Sequence, residues 1–279
     1  MTAFKSLLSK PAPQAEIGAD SQETNPEKLT SVDSSSKFHS NDLFNSSVMA
    51  TQIGSCGTDI LVPEGQEDRL TGTELTFEGT GSISQLAIVS QITDAKVKVP
   101  GGTNFGVVGK GMVDSSIIVN GKLDTDCAED SDNSSIIALN NTLFEGSTVN
   151  AKGKAEVELR MNGDKFRRSS FDAAKGKQDD TVTSNSNTRI VSSTFNLKKG
   201  SDTFSVTGGA RVKGTNTIRL GKDKAADTVE IGSDIVGQGT FVISQMRKID
   251  TVTVAGEEFT KRQIANGEAP NIIQLPERG

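Results

Sequence analysis

The chain has 279 residues, an apolar fraction of 33%, a formal net charge of −6, one histidine, two cysteines, and neither tryptophan nor tyrosine. Those numbers exclude catalysis by paired histidines and multi-histidine zinc or iron sites. They also remove Trp or Tyr platforms for sugars and bases, leaving only the 12 phenylalanines for stacking. The acidic balance argues against a nucleic-acid partner, since phosphate binding wants a basic face. No apolar run approaches the roughly 18 residues that cross a bilayer, so no membrane span is expected.

Residues 1–50 read as an extended docking arm. Phe4, Leu7 and Leu8 share one helical face, so a short apolar helix is expected at 4–8, before Pro11 and Pro13 stop the pattern. MTAFKSLLSKPAPQ lacks the apolar core and small-residue cleavage site of a secretion signal. From Gln14 to Ser47 the sequence is polar and too poor in apolar residues to order itself. His39 stands alone in this stretch and reads as a surface residue.

Residues 51–168 read as an irregular, β-rich region. Short bursts such as Leu75-Thr76-Phe77, Leu86-Ala87-Ile88-Val89, Val97-Lys98-Val99 and Ile117-Ile118-Val119 are β-branched and set off by Gly, Asn, Asp and Ser. That is strand spacing, not helix spacing. Asp114-Ser115-Ser116-Ile117-Ile118 returns as Asn133-Ser134-Ser135-Ile136-Ile137 and is read as one coil repeating. Between the two lies an acidic cluster: Asp124, Asp126, Glu129, Asp130 and Asp132. Its Asp-x-Asp start makes it the calcium candidate of the chain, although it lacks the central Gly and the final Glu of an EF-hand loop. The favoured reading is nonetheless a solvated loop that holds no metal; a carboxylate pair for glycoside hydrolysis is a third reading, poor without a sugar-gripping surface. Cys56 and Cys127 form neither a CxxC nor a metal set and read as ordinary thiols.

Residues 169–264 repeat plainly. Asp180-Thr181-Val182-Thr183, Asp202-Thr203-Phe204-Ser205-Val206, Asp227-Thr228-Val229-Glu230-Ile231 and Asp250-Thr251-Val252-Thr253-Val254 share one form, Asp-Thr followed by an alternating strand. Their aspartates are separated by 22, 25 and 23 residues. Further short strands precede them at Phe195-Asn196-Leu197, Ile218-Arg219-Leu220 and Phe241-Val242-Ile243. A period of that length with two or three strands is one coil of a β-solenoid, which buries its inward residues only by stacking at about 4.8 Å. About eight such coils make a column on the order of 40 Å long. The expected fold is therefore all-β, a single-chain β-solenoid with an extended N-terminal arm. Val206, Ile218, Val229, Ile231, Val242, Val252 and Val254 are expected to point into the column. Residues 265–279, with Ile272, Ile273 and Leu275, read as a C-terminal cap and tail.

Residues 171–264 resemble glycine-poor, degenerate relatives of calcium-binding RTX repeats, and are similar to Asp-Thr-Val solenoids in marine bacterial surface proteins and in structural proteins of phages infecting marine cyanobacteria. The closing Ile249-Asp250-Thr251-Val252-Thr253-Val254-Ala255-Gly256, with Phe259, Thr260 and Ile264, is similar to the terminal coil of that group. An RTX turn coordinates calcium through glycines and aspartate. Here Lys175, Lys177, Lys198, Lys199, Lys222, Lys224, Arg247 and Lys248 occupy the turns instead. The repeat-turn residues Asp180, Asp202, Asp227 and Asp250 are accordingly read as caps that bond backbone amides. The basic turn residues form a ladder, read as keeping the turns soluble, with a ridge for an acidic partner as the other reading.

Neither a catalytic nor a cofactor-binding residue is expected, and no enzyme activity. The resemblance implies a virion structural protein, a capsid decoration or short tail fibre, made in the host cytoplasm. It would dock through Phe4, Leu7 and Leu8 onto a capsid or tail and form a homo-oligomer, with a trimer as one candidate. The alternatives are a secreted or cell-surface RTX-like protein that folds on calcium, and a bactofilin-like filament.

Overall fold

The computed structural model describes strand backbones from Gln14–Ala15 onward and side chains from Gln91 to Pro276, apart from 100–105, 107–110, 120–134, 140–142, 154–155, 174 and 185–186. The fold class is as expected: 55% strand and 3% helix, in parallel sheets that wind a β-solenoid. Three sheets form the sides of the column, with 12, 11 and 8 strands; they are called here the long, second and narrow faces.

One coil visits each face in turn. Glu156–Asn162 lies on the long face, Lys165–Arg167 on the narrow face and Ser170–Asp172 on the second. The next coil repeats this with Thr181–Ser186, Arg189–Val191 and Thr194–Asn196. The strands pair in parallel with their counterparts one coil away, the C-terminal Glu257–Phe259 excepted, and Thr181, Thr203, Thr228 and Thr251 fall in a single register line. The spacing of the Asp-Thr repeat is therefore the length of a coil.

Alternation within each strand separates core from surface, because successive side chains leave opposite sides of a pleated chain. Val182, Phe204, Val229 and Val252 stack inward from the long face, and Phe171, Phe195, Ile218 and Ile243 from the second. Phe144, Phe166, Ile190 and Val212 do so from the narrow face. All twelve are buried. Phenylalanines form a spine within the column: Phe144 on Phe166 at 5.1 Å, Phe166 on Phe195 at 5.3 Å, then Phe195–Phe204 and Phe204–Phe241 edge to face. Aromatic pairs at these separations add to the area they bury. Among the described residues seven of the phenylalanines left for stacking by composition are buried in the rod, Phe259 at its C-terminal end included.

Two expectations need correction. The segments at 114–118 and 133–137 are not equivalent. Ile117 pairs with Val97 and Val149 on the second face, whereas Ile136 and Ile137 pair with Asn104 and Phe105 on the long face. The true partner of Asn104 lies 32 residues on, so this coil carries an insertion between Ser116–Gly121 and Ser134–Asn140 that interrupts the period. Val242, expected inside, faces outward; Phe241 and Ile243 flank it and are fully buried. A two-residue period cannot bury all three. The other six valines and isoleucines expected in the core are there.

The C-terminal end of the column is closed. Glu257–Phe259 folds back antiparallel on Thr251–Val254 through a turn at Ala255 and Gly256, both left-handed. Thr260 then starts a short helix, Lys261–Ala265, with a capping box to Gln263. Its Ile264 is buried against the core. Ile273 pairs with Phe241 and is also buried, with Ile272 and Leu275 packed beside it. At the other end, Gln14–Ala15 and Lys37–Phe38 extend the long face, while Lys28–Leu29 pairs with Ser47–Thr51 on the second. No helix among the described residues is long and apolar enough to cross a membrane.

Candidate functional site

The four repeat aspartates meet at one corner of the column, where the chain passes from the second face to the long face. Each sits one residue before its long-face strand and turns its side chain inward, so all four are buried. Their carboxylates bond backbone amides of the preceding coil. Asp180 Oδ1 accepts from the Val157 N–H at 2.8 Å, Asp202 Oδ1 from Asp180 at 2.7 Å, Asp227 Oδ1 from Asp202 at 3.1 Å, and Asp250 Oδ1 from Asp227 at 3.3 Å. Asp227 and Asp250 also accept a second amide within their own coil, from Gly221 and Arg247.

Stacking carboxylates inside a column disfavours their charged form. Burial pushes the Asp202 carboxyl up to about 8, the Asp180 amide opposes this, and the neighbouring Asp180 and Asp227 carboxylates raise it further. Burial likewise lifts Asp180 to about 7 and Asp227 to about 6. The second oxygens of Asp180 and Asp202 are buried without a hydrogen-bond partner, which suits a proton held there. At the C-terminal end of the line, Arg247 compensates the charge: its guanidinium lies 3.0 Å from Asp250, 3.8 Å from Asp223 and 3.9 Å from Asp227.

The basic turn residues line the outside of the same corner. Lys175, Lys177, Lys199, Lys222, Lys224 and Lys248 are exposed, while Arg247 folds back toward the aspartates. Two further acids stitch these turns together: Asp179 accepts the Ser201 amide at 2.7 Å and Asp223 the Gly200 amide at 2.9 Å. The corner is a continuous backbone clamp. Among the described residues, no group of three or more His, Cys, Asp or Glu side chains is gathered to hold a metal ion. Phe4, Leu7 and Leu8 lie outside the described residues, as do Asp124, Asp126, Glu129, Asp130 and Asp132.

A second ladder at the next corner escaped the sequence reading. The Ala95 amide donates to Ser115 Oγ, Ser115 to Ser147, Ser147 to Ser169, Ser169 to Ser193, and Ser193 to Asn216 Oδ1, at 2.9 to 3.3 Å. Each follows a left-handed residue: Asp114, Gly146, Arg168 and Ser192 before the serines, and Gly214 two before Asn216. The signal was present as a small hydroxyl residue ahead of Ser or Thr, but serine is too common in this chain for it to stand out.

Comparison with known proteins finds no matching family model, no matching curated protein and no matching solved structure. The chain is a β-solenoid repeat protein by its own geometry.

Proposed function

We propose that this protein is a non-enzymatic structural rod, held on a larger assembly through residues 1–50 and projecting its coils outward. The assembly proposed is a phage virion, with the chain as a capsid decoration or short tail fibre. The observation that carries the reading is the asymmetry of the column. Its C-terminal end is covered by the hairpin, the helix and Ile273, which turn the last long-face strand antiparallel and bury the core of the last coil. Attachment then falls to the N-terminal end. The same closure disfavours a filament grown end to end. The virion assignment rests on the resemblance of the Asp-Thr coils; the interior side chains spent on stacking and amide bonding support only the rod.

The test is removal of residues 1–50. Residues 14–50 also supply N-terminal strands of the long and second faces, so the truncated chain loses those strands; it is expected to keep the β circular dichroism signal of the remaining coils while failing to join particles. Recovery of the truncated protein on particles at the normal copy number would overturn the docking model.

A further inference from the structure

We infer that the narrow face is a docking surface for a linear anionic polysaccharide. Outward positions on this face form two rows. The first runs Lys165, Arg189, Arg211 in direct register, and the second Arg167, Val191, Lys213. All five cations are exposed. They concentrate on three successive strands of a chain whose net charge is −6. Equivalent outward positions on the long face hold Thr181, Thr203, Thr228 and Thr251, so nothing in coil geometry demands a basic row.

Like charges directly opposite on neighbouring strands oppose folding, and here two such steps follow one another. Glu145, at the N-terminal edge, is engaged by Arg168 and lies 3.5 Å from Arg167. Asp234, at the corner ahead of Val236, accepts the Gly209 amide. Among the described residues no carboxylate lies within ion-pair distance of Lys165, Arg189, Arg211 or Lys213; Glu145 attracts Lys165 only at longer range. The basic turn residues at the other corner differ, because Asp179, Asp223 and the repeat aspartates lie among them.

The spacing selects the partner. Cations repeat along the column at the strand separation of about 4.8 Å, with the two rows about 7 Å apart. A pyranose chain with an anion on every ring repeats at close to the same interval. An extended acidic peptide presents same-side carboxylates only every two residues, about 6.6 Å. Duplex DNA needs a broader basic surface, and specific binders neutralise roughly six to ten phosphates. Arginine forks bind carboxylate or sulfate in a bidentate manner, and this does not need the missing Trp and Tyr platforms.

The experiment titrates the full-length protein with sodium alginate, which carries only carboxylates, and with dextran sulfate, which carries only sulfates, so the two arms separate the anion source. Binding to at least one glycan is expected, weakening with salt. Arg189→Gln with Arg211→Gln should weaken it about tenfold or more, since each substitution removes a charged hydrogen bond. The control pair Lys222→Gln with Lys224→Gln removes the same charge from the turn corner and should leave affinity unchanged. Both pairs are exposed, and a melting temperature no lower than the parent's confirms that each variant is folded; relief of the Lys165–Arg189–Arg211 repulsion should if anything raise it for the narrow-face pair. Absence of binding to both glycans, equal loss in the control pair, or tighter binding of a short DNA duplex or poly-glutamate would overturn the inference.

Discussion

The carboxylate of Asp202 accepts the backbone N–H of Asp180 at 2.7 Å, one coil away, and the Asp202 N–H in turn donates to Asp227. Side chain and main chain of one residue therefore clasp the coils on either side. The cost is burial of a carboxyl group beside two others, which holds Asp202, Asp180 and Asp227 above their ordinary value of 3.8. The folded chain keeps protons that the unfolded chain releases. Stability from these protons is complete below about pH 4 and is lost as pH rises through about 6, 7 and 8, at up to 1.4 kcal/mol per pH unit for each proton. The melting temperature should therefore fall between about pH 5 and pH 9. Asp202→Asn keeps the accepting oxygen and removes the charge, so it should flatten the slope and melt higher than the parent near pH 9. A parent more stable near pH 9 than near pH 5 would contradict the protonated ladder.

Calcium should not matter to the repeat corner. Each Oδ1 of the line is already engaged by an amide, and Arg247 occupies the end where a cation would otherwise balance charge. Far-UV circular dichroism and the melting temperature are expected to be the same with chelator as with millimolar calcium. A drop of ten degrees or more on chelation, of the size a few kcal/mol produces, would restore the calcium-dependent repeat reading.

Inward and outward positions can be told apart on a single strand. Ile243→Asp places an unpaired carboxylate in the column, at a cost of several kcal/mol, and should unfold the coils around it. Val242→Asp, one residue away, faces solvent and should stay within about 0.5 kcal/mol of the parent. Equal damage from both would mean that the strand Thr240–Ser244 is held in another register.

That strand also marks how much of the fold was legible. The Asp-Thr line could be read because polar and apolar residues alternate there without interruption, and the aspartate spacing equals the coil length. In Phe241-Val242-Ile243 three apolar residues follow one another, and composition alone does not say which one faces out. The narrow face was hardly legible: Lys165–Arg167, Arg189–Val191 and Arg211–Lys213 each hold one buried residue between two flanking residues, five of the six being cations. So short a strand leaves no period to detect. The amide ladders depend on side chains meeting the backbone of another coil, and local sequence carries no trace of that partner.

Backbone conformation at the corners gives a paired test. Ser192 has φ 49 and Gly237 φ 123. A left-handed serine carries a steric cost of roughly 1–2 kcal/mol that glycine avoids. Ser192→Gly should therefore raise stability, less the entropy of a freer unfolded chain. At Gly237 a methyl group would overlap the Val212 carbonyl of the adjacent coil, in a φ region that side chains rarely adopt. Gly237→Ala should lower the melting temperature. Opposite signs for the two substitutions, read by thermal denaturation, are the expected result.

Closure of the C-terminal end should be what keeps one rod from stacking on another. Beyond Val254 the long face ends in an antiparallel strand, and the inner side of the last coil is covered by Phe259, Ile264 and Ile273, all nearly inaccessible to solvent. Cutting the chain after Gly256 removes that cover. It exposes the edge of Thr251–Val254 together with Phe241, whose partner Ile273 is gone. A parallel edge over an apolar floor is a template for another strand, and solenoids without polar caps associate through their ends. The truncated protein should therefore elute as concentration-dependent oligomers in sedimentation or light scattering while retaining much of its β signal. Ile273→Asp, a milder lesion that leaves the hairpin and helix in place, should shift the same equilibrium part of the way. If both proteins stay at the parent's size and merely melt earlier, the terminal segment stabilises the last coil but does not guard it.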